Sequence, residues 1–335
     1  MKVAHFVPSV LPAPAYGGTE RVVYWMCEEQ AKAGLQVTLL SREGSRMPFG
    51  SWVLMPETKD EWAQVLSRGG FDLVHFHSLP PPTFPKDHPH VVTIHGNGKE
   101  GEVFPRNSVF VSRDHAARHG SRSFVHNGLK LDLYPMKSSR ERTRDTLFLA
   151  KASWRVKNLK GSIEIARRAR HRLLVAGGRR PLRPWGLFAF NARFFGNVRD
   201  EQKIELLHRS DALVFPVLWH EPFGIAVIEA LACGVPVIGT PYGALPEIVS
   251  PECGLLDASV ETLADALATK LGGFRPEACR ARVEKHFTAE QMARSYVEIY
   301  ERVLRGEAIN DADPRTLRGP LAGIPDPKNG SSSSR

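Results

Sequence analysis

The run from Trp219 to Thr240, WHEPFGIAVIEALACGVPVIGT, sets two glutamates, Glu221 and Glu229, into an otherwise almost wholly apolar stretch. A strand-like segment, ALVFP (212–216), precedes it, and a second, VPVIG (235–239), closes it. Two short apolar runs around a helix-length segment predict a parallel β-α-β unit with a buried crossover helix. Pro222 suits the first turn of that helix and Gly234 its end. This places Glu221 in the loop at a strand's carboxyl end and Glu229 about two turns inside the helix. A lone carboxylate buried there is strongly unfavourable, so Glu229 requires donors. A sugar diol is one natural pair, and a salt bridge to an arginine is the structural alternative.

The rest of the 335-residue chain repeats the alternation. KVAHFVP (2–8), LQVTLLS (35–41), FDLVHFH (71–77), HVVTIHG (90–96) and SVFVS (108–112) are strand candidates, separated by helix-like stretches such as DEWAQVLSRG. A charged, apolar-poor piece, PMKSSRERTRDT, then separates this series from a second one. TLFLA, RLLVAGG (172–178) and ARFFGNV are its strands, and DEQKIELLHRSD reads as a helix capped by Asp200. The fold class is α/β: the first series suggests a doubly wound sheet, in which ligands sit beyond the strands' carboxyl ends, and the second begins another strand, loop and helix. His77 and His95 both end strands and so reach that edge. The tail 307–335, rich in proline, glycine and serine, is expected to be disordered, and its D-x-D pair Asp311 and Asp313 to be coincidental.

E-P-F-G-x4-E followed by A-x-A-x-G-x-P-V-I-G resembles the E-x7-E signature of retaining glycosyltransferase family 4, the group 1 glycosyl transferases. The resemblance implies a GT-B fold, two facing Rossmann-like domains with a cleft between them. It divides the chain into an acceptor-side domain (1–130), a nucleotide-sugar domain (131–287) and a last helix (288–306) crossing back onto the first domain. It implies transfer of a hexose-type sugar from a nucleotide diphosphate sugar to a hydroxyl of a saccharide or lipid-linked saccharide, with retention. A UDP-sugar is favoured and GDP-mannose stands second; a bacterial lipopolysaccharide or exopolysaccharide is the expected product. Glu221 is expected to contact the donor hexose and Glu229 the ribose. The amides of Phe223, Gly224, Ile225 and Ala226 are expected to take the hexose and diphosphate, a role that suits a helix N-terminus physically.

Further positions follow from the same likeness. His95, in TIHGN, matches a histidine that contacts the donor sugar, and the pair Gly17 and Gly18 matches a first-loop glycine pair facing the diphosphate. HNGLKLDLYP (126–135) resembles the crossing into the second domain, with Lys130 where an acid is usual. The family's G-R-x(4 or 5)-K-G becomes Ala150, Lys151 and Lys157 here, with Arg155 as a further cation. Two of these three should neutralise the departing diphosphate, lysine acting as a point charge without arginine's fork. Gly177 and Gly178 are expected beside the nucleotide. No cofactor or metal is expected. His75 and His77 share a strand face, but the sequence supplies no third ligand.

Composition narrows the classes. Four scattered cysteines without a C-x-x-C argue against a zinc site and for a reducing compartment. No apolar run reaches a membrane span, so a cytoplasmic protein is expected, with peripheral attachment to an inner membrane as a variant. The excess of 45 basic over 36 acidic residues concentrates between Arg155 and Arg183, where an anionic membrane surface is a candidate partner. Base-stacking aromatics are missing from most of that stretch, and no nucleic-acid partner is expected. A sugar phosphorylase, a nucleotide-sugar epimerase and a catalytically silent membrane-surface module remain as alternatives.

Overall fold

In the computed structural model, which describes residues 1–13, 17–136, 142–182, 186 and 189–325, two six-stranded parallel sheets face one another. The N-terminal sheet comprises β1 (Lys2–Val7), β2 (Gln36–Ser41), β3 (Ser51–Leu54), β4 (Leu73–Phe76), β5 (His90–Ile94) and β6 (Ser108–Phe110), in the order β3-β2-β1-β4-β5-β6. The C-terminal sheet comprises β7 (Asp145–Leu149), β8 (Arg172–Ala176), β9 (Ala192–Phe194), β10 (Ala212–Phe215), β11 (Val237–Gly239) and β12 (Gly254–Leu256), in the order β12-β11-β10-β7-β8-β9. Each order reverses direction beside its first strand, which is where a doubly wound sheet opens a crevice. β3 was not among the expected strands. It lies at the sheet's edge with an exposed pattern, so it carries little of the apolar signal by which buried strands are read.

The chain passes between the halves at 126–134 and returns at 287–289, and the two crossings lie side by side. Leu129 N–H donates to Phe287 O at 2.9 Å and Ala289 N–H to Leu129 O at 2.8 Å. Gly128 permits this approach, since a Cβ there would stand 2.2 Å from Thr288 O. The last helix, Ala289–Leu304, opens with a Thr288–Gln291 capping box and lays Met292, Ala293, Tyr296, Ile299, Tyr300 and Val303 onto the N-terminal half. It packs there against Val22 and Met26 of the first helix, Gly18–Lys32.

The tail departs from expectation. Residues 307–325 are tied down rather than disordered: Phe104 N–H donates to Pro314 O, Arg315 N–H to His119 O and Leu317 N–H to Arg118 O. Arg118 in turn donates to the carbonyls of Arg318 and Gly319, and His220 N–H to Pro320 O. Backbone partners supply the binding that the tail's polar composition could not signal. Residues 326–335 lie outside the described set, as do parts of the linker (137–141) and of the RPLRPWGLFAFN segment (183–185, 187 and 188).

The basic stretch is also more occupied than its charge count suggests. Arg167 and Arg168 pair with Glu164, Arg172 pairs with Asp145, and Arg180 donates to three backbone carbonyls. Among the described residues, no helix is long and apolar enough to cross a membrane.

Candidate active site

The Trp219–Thr240 run forms the crossover between β10 and β11. Its helix is shorter than the pattern predicts, Ile225–Ala232, with Gly224 at the N-cap (φ 99°) and Gly234 beyond its end (φ 76°). Pro222 and Phe223 therefore belong to the loop. A left-handed Gly224 turns the chain sharply, so the helix begins later, with the amides of Ile225 and Ala226 in its first turn. Ile225 meets the glycine loop there: a Cβ at Gly18 would lie 3.1 Å from Ile225 Cδ1. Gly17 caps the first helix in extended conformation. Phe223 turns its ring into the core against His126 and Phe287.

Glu221 is 6 % exposed and is engaged through Oε2, which accepts from Lys157 Nζ at 2.6 Å and from Trp219 Nε1 at 2.7 Å. The ammonium of Lys157 also lies over the rings of Trp219 and Phe215, 4.9 and 5.3 Å from their centroids. Gly243 fixes the backbone from behind. A Cβ there would stand 2.3 Å from Glu221 N and O, and Ala244 N–H donates to Glu221 O.

Glu229, also 6 % exposed, finds its donors within the protein: Tyr134 O–H at 2.6 Å and Lys203 Nζ at 2.5 Å, both on Oε1. The partner is thus a lysine, not the arginine considered from sequence. Lys203 comes from the helix Asp200–Arg209, which Asp200 begins rather than caps. Asp200 instead pairs with Arg21 of the N-terminal half and with Lys203.

The other candidates surround this pair. Lys151 is exposed, its ammonium 5.1 Å from the centroid of Trp154, whose ring meets that of Trp219 edge-on. Arg155 opens a short 3-10 turn ending at Lys157. Gly177 (φ 116°) and Gly178 follow β8, and a Cβ on Gly177 would stand 2.1 Å from Ala150 O, so the loops after β7 and β8 are packed backbone to backbone. On the facing half, His95 follows β5 and its Nε2 lies 3.1 Å from His77 Nδ1. Asn97 Nδ2 donates to His220 O at 2.9 Å, joining the His95 loop to the residue before Glu221. Burial raises the carboxyl of Glu247, yet hydrogen bonds from His126 and the amides of Asp114 and Arg113 hold it below the usual range, adding a further tie between the halves.

The family described as Glycosyltransferase Family 4 matches residues 16–156, and that described as Glycosyl transferases group 1 matches 143–272, so together they run without a break from residue 16 to 272, through both halves. The chain belongs to the group 1, family 4 glycosyltransferases. The lipopolysaccharide core biosynthesis mannosyltransferase LpsB of Rhizobium meliloti is 38% identical over 106 residues, 28% of this chain and 30% of that one. N-acetyl-alpha-D-glucosaminyl L-malate synthase of Bacillus anthracis is 32% identical over 120 residues, 32% of this chain and 30% of that one. These matches span about three-tenths of the relatives' length.

The glycosyltransferase AviGT4, involved in avilamycin A biosynthesis, superposes with a TM-score of 0.76 at 24% identity, covering 91% of this chain and 98% of that one. Anabaena HepE, solved with UDP and glucose, gives 0.66 at 15% identity, covering 90% and 99%. At these identities the likeness is one of fold, and the fold is GT-B.

Sequence reasoning missed several residues that complete the family site. Trp219, Tyr134, Lys203 and Gly243 all touch or brace the two glutamates; Trp219 opens the same run as Glu221 without being singled out, and the other three lie outside that run. Tyr134 and Glu229 are 95 positions apart, and only the fold joins them. The PYG turn before Ala244 was a readable signal for Gly243, because a glycine after a strand marks a tight turn or a close backbone approach. A concavity of about 1500 Å³ runs along the β2–β3 edge, lined by residues between Lys2 and Phe71, and includes none of these residues. It therefore does not mark the family cleft.

Proposed function

We propose that the chain transfers a hexose-type sugar from a nucleotide diphosphate sugar to a hydroxyl acceptor, with retention at the anomeric carbon. The observation that carries this reading is the apposition of the Gly17–Gly18 loop to the N-terminus of Ile225–Ala232, with the Lys157–Glu221 pair beside it. A diphosphate bound beside them would meet helix amides, close glycine backbone and a part-buried ammonium, the three features that stabilise the charge on a departing nucleoside diphosphate.

Lys157 neutralises Glu221 in the structure, and an incoming diphosphate competes with that carboxylate for the ammonium. Donor binding would then release Glu221 to accept a hydrogen bond from a hexose hydroxyl. Glu229 gives Oε1 to Lys203 and Tyr134, which leaves Oε2 for the ribose diol. Lys151 and Arg155 supply the second cation, so the diphosphate is held by side chains with no metal in the scheme. His95 approaches the sugar from the other half. The chain's own part is orientation and charge stabilisation across a closing cleft.

A UDP-sugar is the favoured donor and GDP-mannose the second. HepE with UDP-glucose supports the first, and LpsB, named a mannosyltransferase, supports the second. LpsB also supports a cell-envelope glycan acceptor. A calorimetric panel of UDP, GDP, ADP and their sugars, with and without magnesium, tests the donor. One nucleotide should bind equally well in EDTA, and its diphosphate should be released only when an acceptor is present. Release without acceptor, or phosphate-dependent sugar transfer, would replace this reading with hydrolysis or phosphorolysis.

A further inference from the structure

Beneath the cleft, the face of the N-terminal sheet covered by the first and last helices carries polar side chains where apolar ones are usual. His5 of β1, His75 and His77 at β4, and Thr93 of β5 are all buried, with Gln30, Tyr296 and Tyr300 packed over them. One hydrogen-bond chain links them. His95 Nε2 lies 3.1 Å from His77 Nδ1, His77 Nε2 lies 3.1 Å from His5 Nδ1, and His5 Nε2 lies 2.8 Å from Gln30 Oε1. Gln30 Nε2 donates to Tyr300 Oη at 3.0 Å, Tyr300 Oη lies 2.6 Å from His75 Nδ1, and His75 Nε2 lies 2.7 Å from Thr93 Oγ1. Thr93 ends the chain on Tyr296, at 2.7 Å.

His5, His75 and His77 bring ligand atoms within 4.8 Å of one another, the arrangement of a metal triad. Every ring nitrogen of the three is already engaged with a neighbouring side chain, so a metal would have to break existing bonds. The chain is better satisfied as it stands. Burial holds all four imidazoles well below the ordinary histidine range, His5 and His95 to about 4, so each is neutral and carries one N–H and one lone pair. A row of such rings has a direction, and one fixed end orients all of it.

Gln30 is that end. Its Oε1 can only accept, so His5 carries its proton on Nε2 and accepts on Nδ1. His77 must then donate from Nε2 and accept on Nδ1, and His95 must donate from Nε2. We propose that Gln30, acting through His5 and His77, holds His95 as the Nε2–H tautomer, so that Nδ1 accepts a hydrogen bond from a sugar hydroxyl in the cleft. This rests on the reading of His95 as a sugar contact. Gln30, His5 and His77 are positioning residues, and they restrict the cleft to a sugar whose hydroxyl donates at that point.

Long-range ¹H–¹⁵N NMR of the full chain with labelled histidine reads the tautomer without any substrate. His95 should show a protonated Nε2 and an unprotonated Nδ1. In Gln30→Met that bias should be lost, and kcat/KM for the nucleotide sugar should fall roughly five- to tenfold, the size of one neutral hydrogen bond, while nucleotide diphosphate affinity stays unchanged. Gln30→Glu keeps an acceptor for His5 and should retain the parent tautomer. An Nδ1–H tautomer in the parent, or an unchanged one in Gln30→Met, overturns the proposal whatever the cleft binds. An Nε2–H tautomer combined with parental turnover in His95→Ala overturns the sugar contact, and with it that part of the functional reading.

Discussion

The two halves share a strand order and differ in what lies against their sheets. In the C-terminal half the core is a single apolar cluster running from Leu147 to Ala289, and its buried charges are ion pairs: Glu229 with Lys203, Glu221 with Lys157, Asp145 with Arg172 and Arg209. In the N-terminal half the covered face of β1, β4 and β5 holds a neutral network of imidazoles, hydroxyls and one amide. The first arrangement suits a half that meets a polyanion, because fixed charges beside a low-dielectric core act strongly. Under the proposed function the second would suit a half that orients sugar hydroxyls, where the direction of a hydrogen bond matters more than charge.

Acid gives the largest separation of the two halves. The unfolded chain binds protons on His5, His75, His77 and His95 as pH falls through 6.5, whereas burial holds the folded rings well below that, His5 and His95 to about 4. Their contribution is complete above pH 6.5 and is lost across that window, at about 1.4 kcal/mol per pH unit for each ring. Hydrogen exchange at pH 5 should therefore show β1, β4 and β5 losing protection before β7 and β10. Simultaneous loss would erase the distinction drawn here.

Glu229→Ala probes the charged half. It leaves Lys203 buried without its main partner and should lower unfolding free energy by about 3 to 5 kcal/mol in a denaturant titration. Glu229→Gln keeps the shape and should weaken nucleotide binding with less loss of stability. In turnover assays Lys157→Ala should reduce kcat by roughly 10²- to 10³-fold, as expected for a donor to developing charge. Parental turnover would remove Lys157 from the site.

Tyr300→Phe returns to the neutral half. It strands both Gln30 Nε2 and His75 Nδ1, and a loss of about 1 to 3 kcal/mol should follow. The smallest effect is expected at the seam. His220→Ala removes a side-chain bond to Ala322 O and should shift stability by about 1 kcal/mol or less, while making residues 317–325 easier to cleave. Unchanged proteolysis would show that the bonds from Arg118 and the backbone bond to Pro320 hold the tail without it.

Much of this molecule was legible before folding. The alternation of apolar runs and helix-length segments announced a doubly wound sheet, and the Trp219–Thr240 run located the family motif that implied the second, because burial pattern and backbone punctuation are local properties. Where the readings failed, nonlocal partners decided. Residues 307–325 have a disordered composition but are ordered by backbone bonds to Phe104, Arg118, His119 and His220. Glu229 announced a need for donors without naming them, and Tyr134 and Lys203 arrived from other elements. His75 and His77 were visible as a pair on one strand face, while the third histidine lay in β1 and the amide orienting them bonds a tyrosine 270 positions away. Sequence by itself determined which segments become strands and helices, since that depends on neighbours a few residues apart. Only the tertiary structure decided which polar groups satisfy one another, since a buried donor takes the acceptor that packing places within about 3 Å.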